Sequence, residues 1–431
     1  MMSTYRMRAT LPASNGTDPR RLVAANDAAV AWFRAQLTSA EPPRRYLTSR
    51  GLGTLVDREW PWRVGFAPPG WTALTDHLTA AGFTADELVT AGLSKPTRRD
   101  PSRLIDVFRD RVVFPIRDRA GDVVGFIGRA SPAASAADPS LPKYLNTHES
   151  PIYRKDELLF GVAEQRERIS AGWRPVLVEG PADTIATWLS YSRFGTSGSV
   201  AVAPCGTALG AAQAATVREM PGAREGLVVA FDGDDAGRKA ADAAFELLHQ
   251  TTPPGRLFAA EFTAGADPAA LLERPNGRAQ LRAALRHQTR PLLWAVVDHQ
   301  LDRILANHPQ ILDHFEGRYT VANVLAPRVL LASDGADAGR LTRHIARRTG
   351  STDAAVAGYA AEWLLRSVEL LESDTRRPLG TPTGAVRPPP AAAAFGRLTT
   401  TAADPAGGRQ RLAAGLRPGQ RPVETTTRVR R

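Results

Sequence analysis

The chain has 431 residues, 43% of them hydrophobic, enough to bury more than one core, so a wholly disordered protein is excluded. Its single cysteine, Cys205, excludes a disulfide framework and a Cys-rich zinc module within this polypeptide. The net charge of +11 is uneven: residues 376–431 hold eleven Arg, Asp404 and Glu424, a net +9, which leaves +2 for the first 375 residues.

Residues 1–19 show no sustained periodicity and read as disordered. From Arg20 to Leu37 the apolar residues Leu22, Val23, Ala29, Val30, Phe33 and Leu37 keep helical spacing. Arg45 to Leu52 reads as a short helix ended by Gly51, Trp62 to Phe66 as a strand, and Trp71–Ala81 and Ala85–Ala91 as helices ended by Gly82 and Gly92. Arg111–Ile116 and Asp122–Gly128 flank an Arg119-Ala120-Gly121 turn, which predicts a hairpin, and the Ala-, Ser- and Pro-rich stretch Ala130–Ser140 reads as a surface loop.

After Arg174 short β-rich runs alternate with helical windows. Val176–Val178 ends in Glu179, Val200–Ala203 precedes Cys205, Leu227–Phe231 ends in Asp232, and Leu257–Phe262 leads to Asp267. This alternation predicts a parallel sheet covered by helices, with ligands gathering beyond the carboxyl ends of the strands, where Glu179 and Asp232 fall. Residues 291–374 are helical in pattern, and the Pro-, Ala- and Arg-rich remainder cannot build a core. The fold class is therefore α/β, Rossmann-like at its centre. The expected segments are 1–19 (disordered), 20–170 (mixed α+β), 171–275 (parallel sheet), 276–374 (helical) and 375–431 (disordered basic tail). No stretch reads as a signal peptide or membrane span, so a soluble, cytoplasmic, nucleoid-associated protein is expected.

Two acidic clusters carry the chemistry: Glu179-Gly180-Pro181-Ala182-Asp183 and Asp232-Gly233-Asp234-Asp235-Ala236-Gly237. Carboxylates gathered at strand ends repel one another unless a hard cation neutralises them, and Mg²⁺ is the usual choice beside phosphates. Each acid alone also suits a helix N-cap, but two clusters in one βαβ register favour the metal site.

With their spacing, these clusters resemble a Toprim domain, the metal-binding module of topoisomerases, bacterial primases and some nucleases. Upstream, Val107–Ile116, Val124–Arg129, Pro142-Lys143-Tyr144-Leu145-Asn146, Ile152–Lys155 and Phe160-Gly161 are similar in order and wording to the catalytic core of DnaG-type bacterial primases. So are Val64–Pro68 and Ala91-Gly92-Leu93. The resemblance runs from about Leu22 to Leu272, more weakly to about Leu370. It implies an Mg²⁺- or Mn²⁺-dependent nucleotidyltransferase making short RNA primers on single-stranded DNA from nucleoside triphosphates. A helicase or other replication protein is the implied partner.

In that reading Glu179, Asp183, Asp232 and Asp234 are catalytic. Glu179, Asp232, Asp234 and Asp267 hold metal, with Glu179 acting as base or as ligand. Arg109, Arg111, Arg129, Lys143 and Lys155 meet nucleotide phosphates or the nucleic-acid backbone, although a surface salt bridge is the commoner role for any one of them. Tyr144 and Asn146 suit either base contacts or packing. The chain departs from the family in Pro181-Ala182, where a bulky pair is usual, and in Ala264-Gly265-Ala266 before Asp267, where further carboxylates are usual. The family's zinc-binding module is not expected, so no zinc is, and the tail leaves no room for its helicase-binding domain. A mobile-element primase fits these departures. The rival readings are a Toprim nuclease and a catalytically weakened DNA- or nucleotide-binding factor; a topoisomerase is disfavoured for want of a gate.

Overall fold

The structure, a computed structural model, describes residues 17–375 apart from 58–59, 193–196, 207 and 263–265. Segments 1–16 and 376–431, and with them most of the expected disorder at either end, lie outside the described residues; of the rest, Pro19 opens a helix and Thr375 ends one. The chain divides into two units, 1–364 and 365–431, and only the last turns of one helix in the second are described.

Helix α1 (Pro19–Ser39) starts where Asp18 accepts from the Arg20 amide and Pro19 fixes the first turn. It buries Leu22, Ala25, Ala29, Val30, Phe33 and Leu37 along one face. Helices α2 (Glu41–Ser49) and α3 (Thr54–Asp57) follow. Strand β1 (Gly65–Ala67) lies directly on α1, because a Cβ at Gly65 would collide with Phe33. The strand expected at Trp62–Phe66 thus begins later, at Gly65, beyond an Arg63 that takes a φ of 42°.

Helices α4 (Ala73–Ala80) and α5 (Ala85–Thr90) end before Gly82 and Gly92, both at positive φ. Strands β2 (Ser94–Pro96) and β3 (Leu104–Asp106) pair as a small ribbon, from which Asp106 accepts from the Leu74 and Thr75 amides at the start of α4. Strands β4 (Arg111–Arg117) and β5 (Val123–Ala130) form the expected hairpin, and β6 (Tyr144–Asn146) completes an antiparallel sheet ordered β1-β4-β5-β6. The Ala130–Ser140 loop proves to contain a short helix, α6 (Pro132–Ala137). Ser131 caps it by accepting from the Ala134 amide, and Pro132 suits its first turn.

The second sheet is ordered β12-β11-β10-β8-β9-β7. Its strands are β7 (Leu159–Phe160), β8 (Arg174–Leu177), β9 (Ser199–Pro204), β10 (Leu227–Val229), β11 (Leu257–Ala260) and β12 (Thr289–Pro291). The four inner strands are parallel and both edge strands antiparallel. Helices α7 (Arg166–Ser170), α8 (Pro181–Ser190), α9 (Ala211–Glu219) and α10 (Asp235–Leu248) make the connections, followed by α11 (Pro268–Leu272) and α12 (Gly277–Arg286). The edge strands come from outside segment 171–275. Trp62 stacks on Phe160 at 5.5 Å and meets Trp188 edge-on at 5.9 Å, so the two sheets share one core.

Helices α13 (Leu292–Asn307), α14 (Phe315–Leu325), α15 (Gly335–Thr349) and α16 (Asp353–Thr375) supply the helical part. Asp298 accepts from Arg290, His344 and Arg348 and ties it to β12. Among the described residues no helix is long and apolar enough to cross a membrane.

Candidate active site

Strand β8 has β9 on one side and β10 on the other, so the connections leave its carboxyl end in opposite directions and open a crevice there. Glu179 follows β8 and Asp232 follows β10. They meet directly: Glu179 Oε1 accepts from the Asp232 amide at 2.9 Å. Gly237 makes this approach possible, because a Cβ there would overlap the Asp232 carbonyl and crowd Glu179.

Asp183 lies in the first turn of α8, 7% exposed, and accepts from the Ala269 amide at 3.1 Å, joining α8 to α11. Asp234 caps α10 by accepting from the Gly237 amide at 2.8 Å, and Asp267 caps α11 by accepting from the Ala270 amide. Both residues are thus helix N-caps that also lie within the field of Asp232. Arg50, just past the end of α2, sits 3.5 Å from Asp267 and 2.7 Å from Glu273; nothing in the sequence pattern marks it.

The carboxylates act on one another. Burial, then Asp267, Asp232 and Glu179, push Asp183 up to about 8. Burial, then Glu179, Asp267 and Asp234, push Asp232 up to about 7, with Lys143 opposing. Burial raises Glu179, with Asp234 adding to it and the Asp232 amide and Lys143 opposing. One Asp232 oxygen is buried with no hydrogen-bond partner. Among the described residues no group of three or more His, Cys, Asp or Glu is arranged to hold a metal as it stands. The donor set nevertheless fits a hard cation: oxygen ligands only, mutual repulsion that a cation would offset, and an orphaned oxygen left to bind it.

Of the expected basic residues, Lys143 acts on Glu179 and Asp232, and Arg129 lies within the field of Asp183. Arg129 donates to the Tyr144 hydroxyl at 2.7 Å, with its guanidinium 5.3 Å from the Tyr144 ring and 5.7 Å from that of Tyr46. Tyr144 thereby holds the Arg129 guanidinium in place. Asn146 donates to the Cys205 carbonyl, which ties β6 to the end of β9, so its amide nitrogen is structural.

Arg111, expected to meet phosphates, lies within the framework of the sheet. It is 2% exposed, and its Nη1 donates to the Gly128 carbonyl at 3.0 Å and reaches that of Lys143 at 3.4 Å. Lys155 is exposed, and its carbonyl anchors Gln213. Arg109 donates to the Asp106 carbonyl and lies 4.2 Å over the ring of Trp71, which is 63% exposed. That exposed ring was read only as the start of a helix, since a lone Trp in sequence carries no sign of its orientation.

The geometry agrees with the comparisons. Residues 32–166 match the family described as DNA primase catalytic core, N-terminal domain, and residues 176–272 match the Toprim-like family. A DNA primase from Mycolicibacterium smegmatis is 36% identical over 320 residues, 73% of this chain and 46% of that protein. The RNA polymerase domain of Mycobacterium tuberculosis primase DnaG, solved with double-stranded DNA, is 34% identical with a TM-score of 0.62 over 78% of this chain and 99% of that one. A DnaG primase catalytic domain bound to single-stranded DNA is 28% identical with a TM-score of 0.57, over 78% and 98%. The chain spans about half the length of the curated relatives it matches.

Proposed function

The chain belongs to the DnaG-type primase catalytic-core family, and on that premise we propose that it is a nucleotidyltransferase joining ribonucleotides on a single-stranded DNA template. The observation that carries this reading is the convergence of Glu179, Asp183, Asp232, Asp234 and Asp267 at the carboxyl ends of parallel strands, with Lys143 and Arg129 beside them.

In the reaction the 3′-hydroxyl oxygen of the growing strand bonds to the α-phosphorus of an incoming triphosphate. The bond to the pyrophosphate oxygen breaks, and the hydroxyl proton passes to a base. Glu179, Asp232, Asp234 and Asp267 would hold Mg²⁺, which when bound offsets phosphate charge and acidifies the hydroxyl. Lys143 and Arg129 receive phosphate oxygens, Lys143 as a mobile point charge and Arg129 as a fork fixed by two tyrosines. Asp183, buried and bonded to Ala269, positions the crevice from below. The Trp71 ring with Arg109 laid on it offers a stacking surface for a template base, backed by a cation for the backbone. A replicative helicase is the partner this role calls for.

The test is purified protein with single-stranded DNA, the four ribonucleoside triphosphates and Mg²⁺. Template-dependent labelled RNA supports the reading. Shortened DNA would point to the same carboxylates activating water, and DNA binding without either product to a weakened factor.

A further inference from the structure

The β4–β5 hairpin carries arginines at both ends. Arg111 and Arg129 lie at the one beside the carboxylate cluster; Arg117 pairs with Val123 at the other, six residues and roughly 20 Å along the strand. At that far end is a cavity of about 740 Å³, within the size range of small-molecule sites. Its walls include Arg34, Arg63, Arg117 and Arg166, and among the described residues the only acidic one lining it is Glu164.

Three of these guanidiniums are held by carbonyls, which orient them, and Arg117 also faces the Glu164 carboxylate. Arg34 donates to Leu55, Val56 and Val64, Arg117 to Gly121, and Arg166 to Arg119. The Glu164 side chain is 2% exposed, yet its Oε1 has no hydrogen-bond partner and lies 3.5 Å from Arg117 Nε. Its ion pair with Arg117 therefore leaves the hydrogen-bonding capacity of a buried carboxyl oxygen unused, which is costly for folding alone. Trp60, fixed edge-on to Trp188 at 4.8 Å, adds an apolar wall.

We propose that this cavity is a second anion site, taking a small phosphate-bearing molecule between pyrophosphate and a mononucleotide in size. Arg63, Arg117 and Arg166 meet the phosphate oxygens and Glu164 bonds the ligand through Oε1. Burial pushes the Glu164 carboxyl up to about 7, so below that pH it donates to a phosphate oxygen instead of repelling it. The phosphate could come free or carried by a nucleoside whose base lies on Trp60.

The experiment is calorimetric titration of the full chain with pyrophosphate and, separately, AMP, in EDTA so that no metal bridges phosphate to the carboxylate cluster. One-to-one binding should be kept in Asp232→Asn and weakened at least about tenfold by Arg63→Ala and by Arg166→Ala. Glu164→Gln, which keeps a donor, should bind better than Glu164→Leu. Tighter binding of AMP assigns a nucleotide, and tighter binding of pyrophosphate an inorganic anion. No binding by the natural chain at millimolar ligand, binding unchanged in both arginine variants, or binding lost in Asp232→Asn would overturn the proposal. Arg63 and Arg166 are exposed, so their variants decide the matter even if Glu164→Leu does not fold.

Discussion

The Asp232 amide donates to Glu179 Oε1 at 2.9 Å, joining the ends of two neighbouring parallel strands. This bond makes the two acidic clusters one unit. Asp232→Ala and Glu179→Ala should each cut primer synthesis by about a hundredfold or more, since removing a metal-binding carboxylate costs several kcal/mol in the transition state. Circular dichroism should show both variants folded. Near-normal synthesis by either would place the chemistry elsewhere.

Gly237→Ala tests the turn itself. The new methyl group would overlap the Asp232 carbonyl, which is backbone and cannot swing aside. A loss of stability of about 1–3 kcal/mol in urea is expected, together with a fall in synthesis, because the same displacement pulls Asp232 from Glu179. Unchanged stability and rate would mean that the turn tolerates the approach.

Glu164 predicts a pH dependence of stability. Burial raises its carboxyl from 4.5 to about 7, against the pull of Arg117, so the folded protein keeps a proton that the unfolded chain releases. Its contribution is therefore full below about pH 4.5 and is lost as pH rises to about 7, a change on the order of 3 kcal/mol. Denaturation midpoints across pH 4.5–8 should show a steeper decline for the natural chain than for Glu164→Gln. Parallel curves would contradict the burial argument.

Trp71→Ala should weaken single-stranded DNA binding by about 1–3 kcal/mol, the usual worth of one base stacked on an aromatic ring. Stability should barely move, because the ring is already 63% exposed. Fluorescence anisotropy with a labelled oligonucleotide reads the first quantity and thermal melting the second; equal affinity would remove Trp71 from the template path.

The basic segment 376–431 carries +9 of the +11 charge and follows directly on α16. Deleting it should weaken single-stranded DNA binding and flatten its salt dependence, each lost phosphate contact lowering the slope by roughly 0.7. At saturating template and low salt, turnover should persist, since every proposed active-site residue lies before Leu272. An unchanged slope would show that these arginines do not meet DNA.

Sequence alone determined the βαβ rhythm and the strand-end carboxylates, because an apolar run ended by an acid and a glycine is a local pattern. Glu179, Asp232 and the helix starts at Asp234 and Asp267 were legible for that reason. Tertiary structure decided which cations lie beside the carboxylates. Arg111 and Arg129 both sit in apolar strand motifs, yet one guanidinium is buried against the Gly128 carbonyl while the other stands among Tyr46, Tyr144 and Asp183. The pleat and the pairing of β4 with β5 set that difference, and both depend on partners far along the chain. The same holds for Glu164: its neighbours in sequence are ordinary, and only the packing of α1, the hairpin turn and the Trp60 loop encloses its carboxyl among arginines.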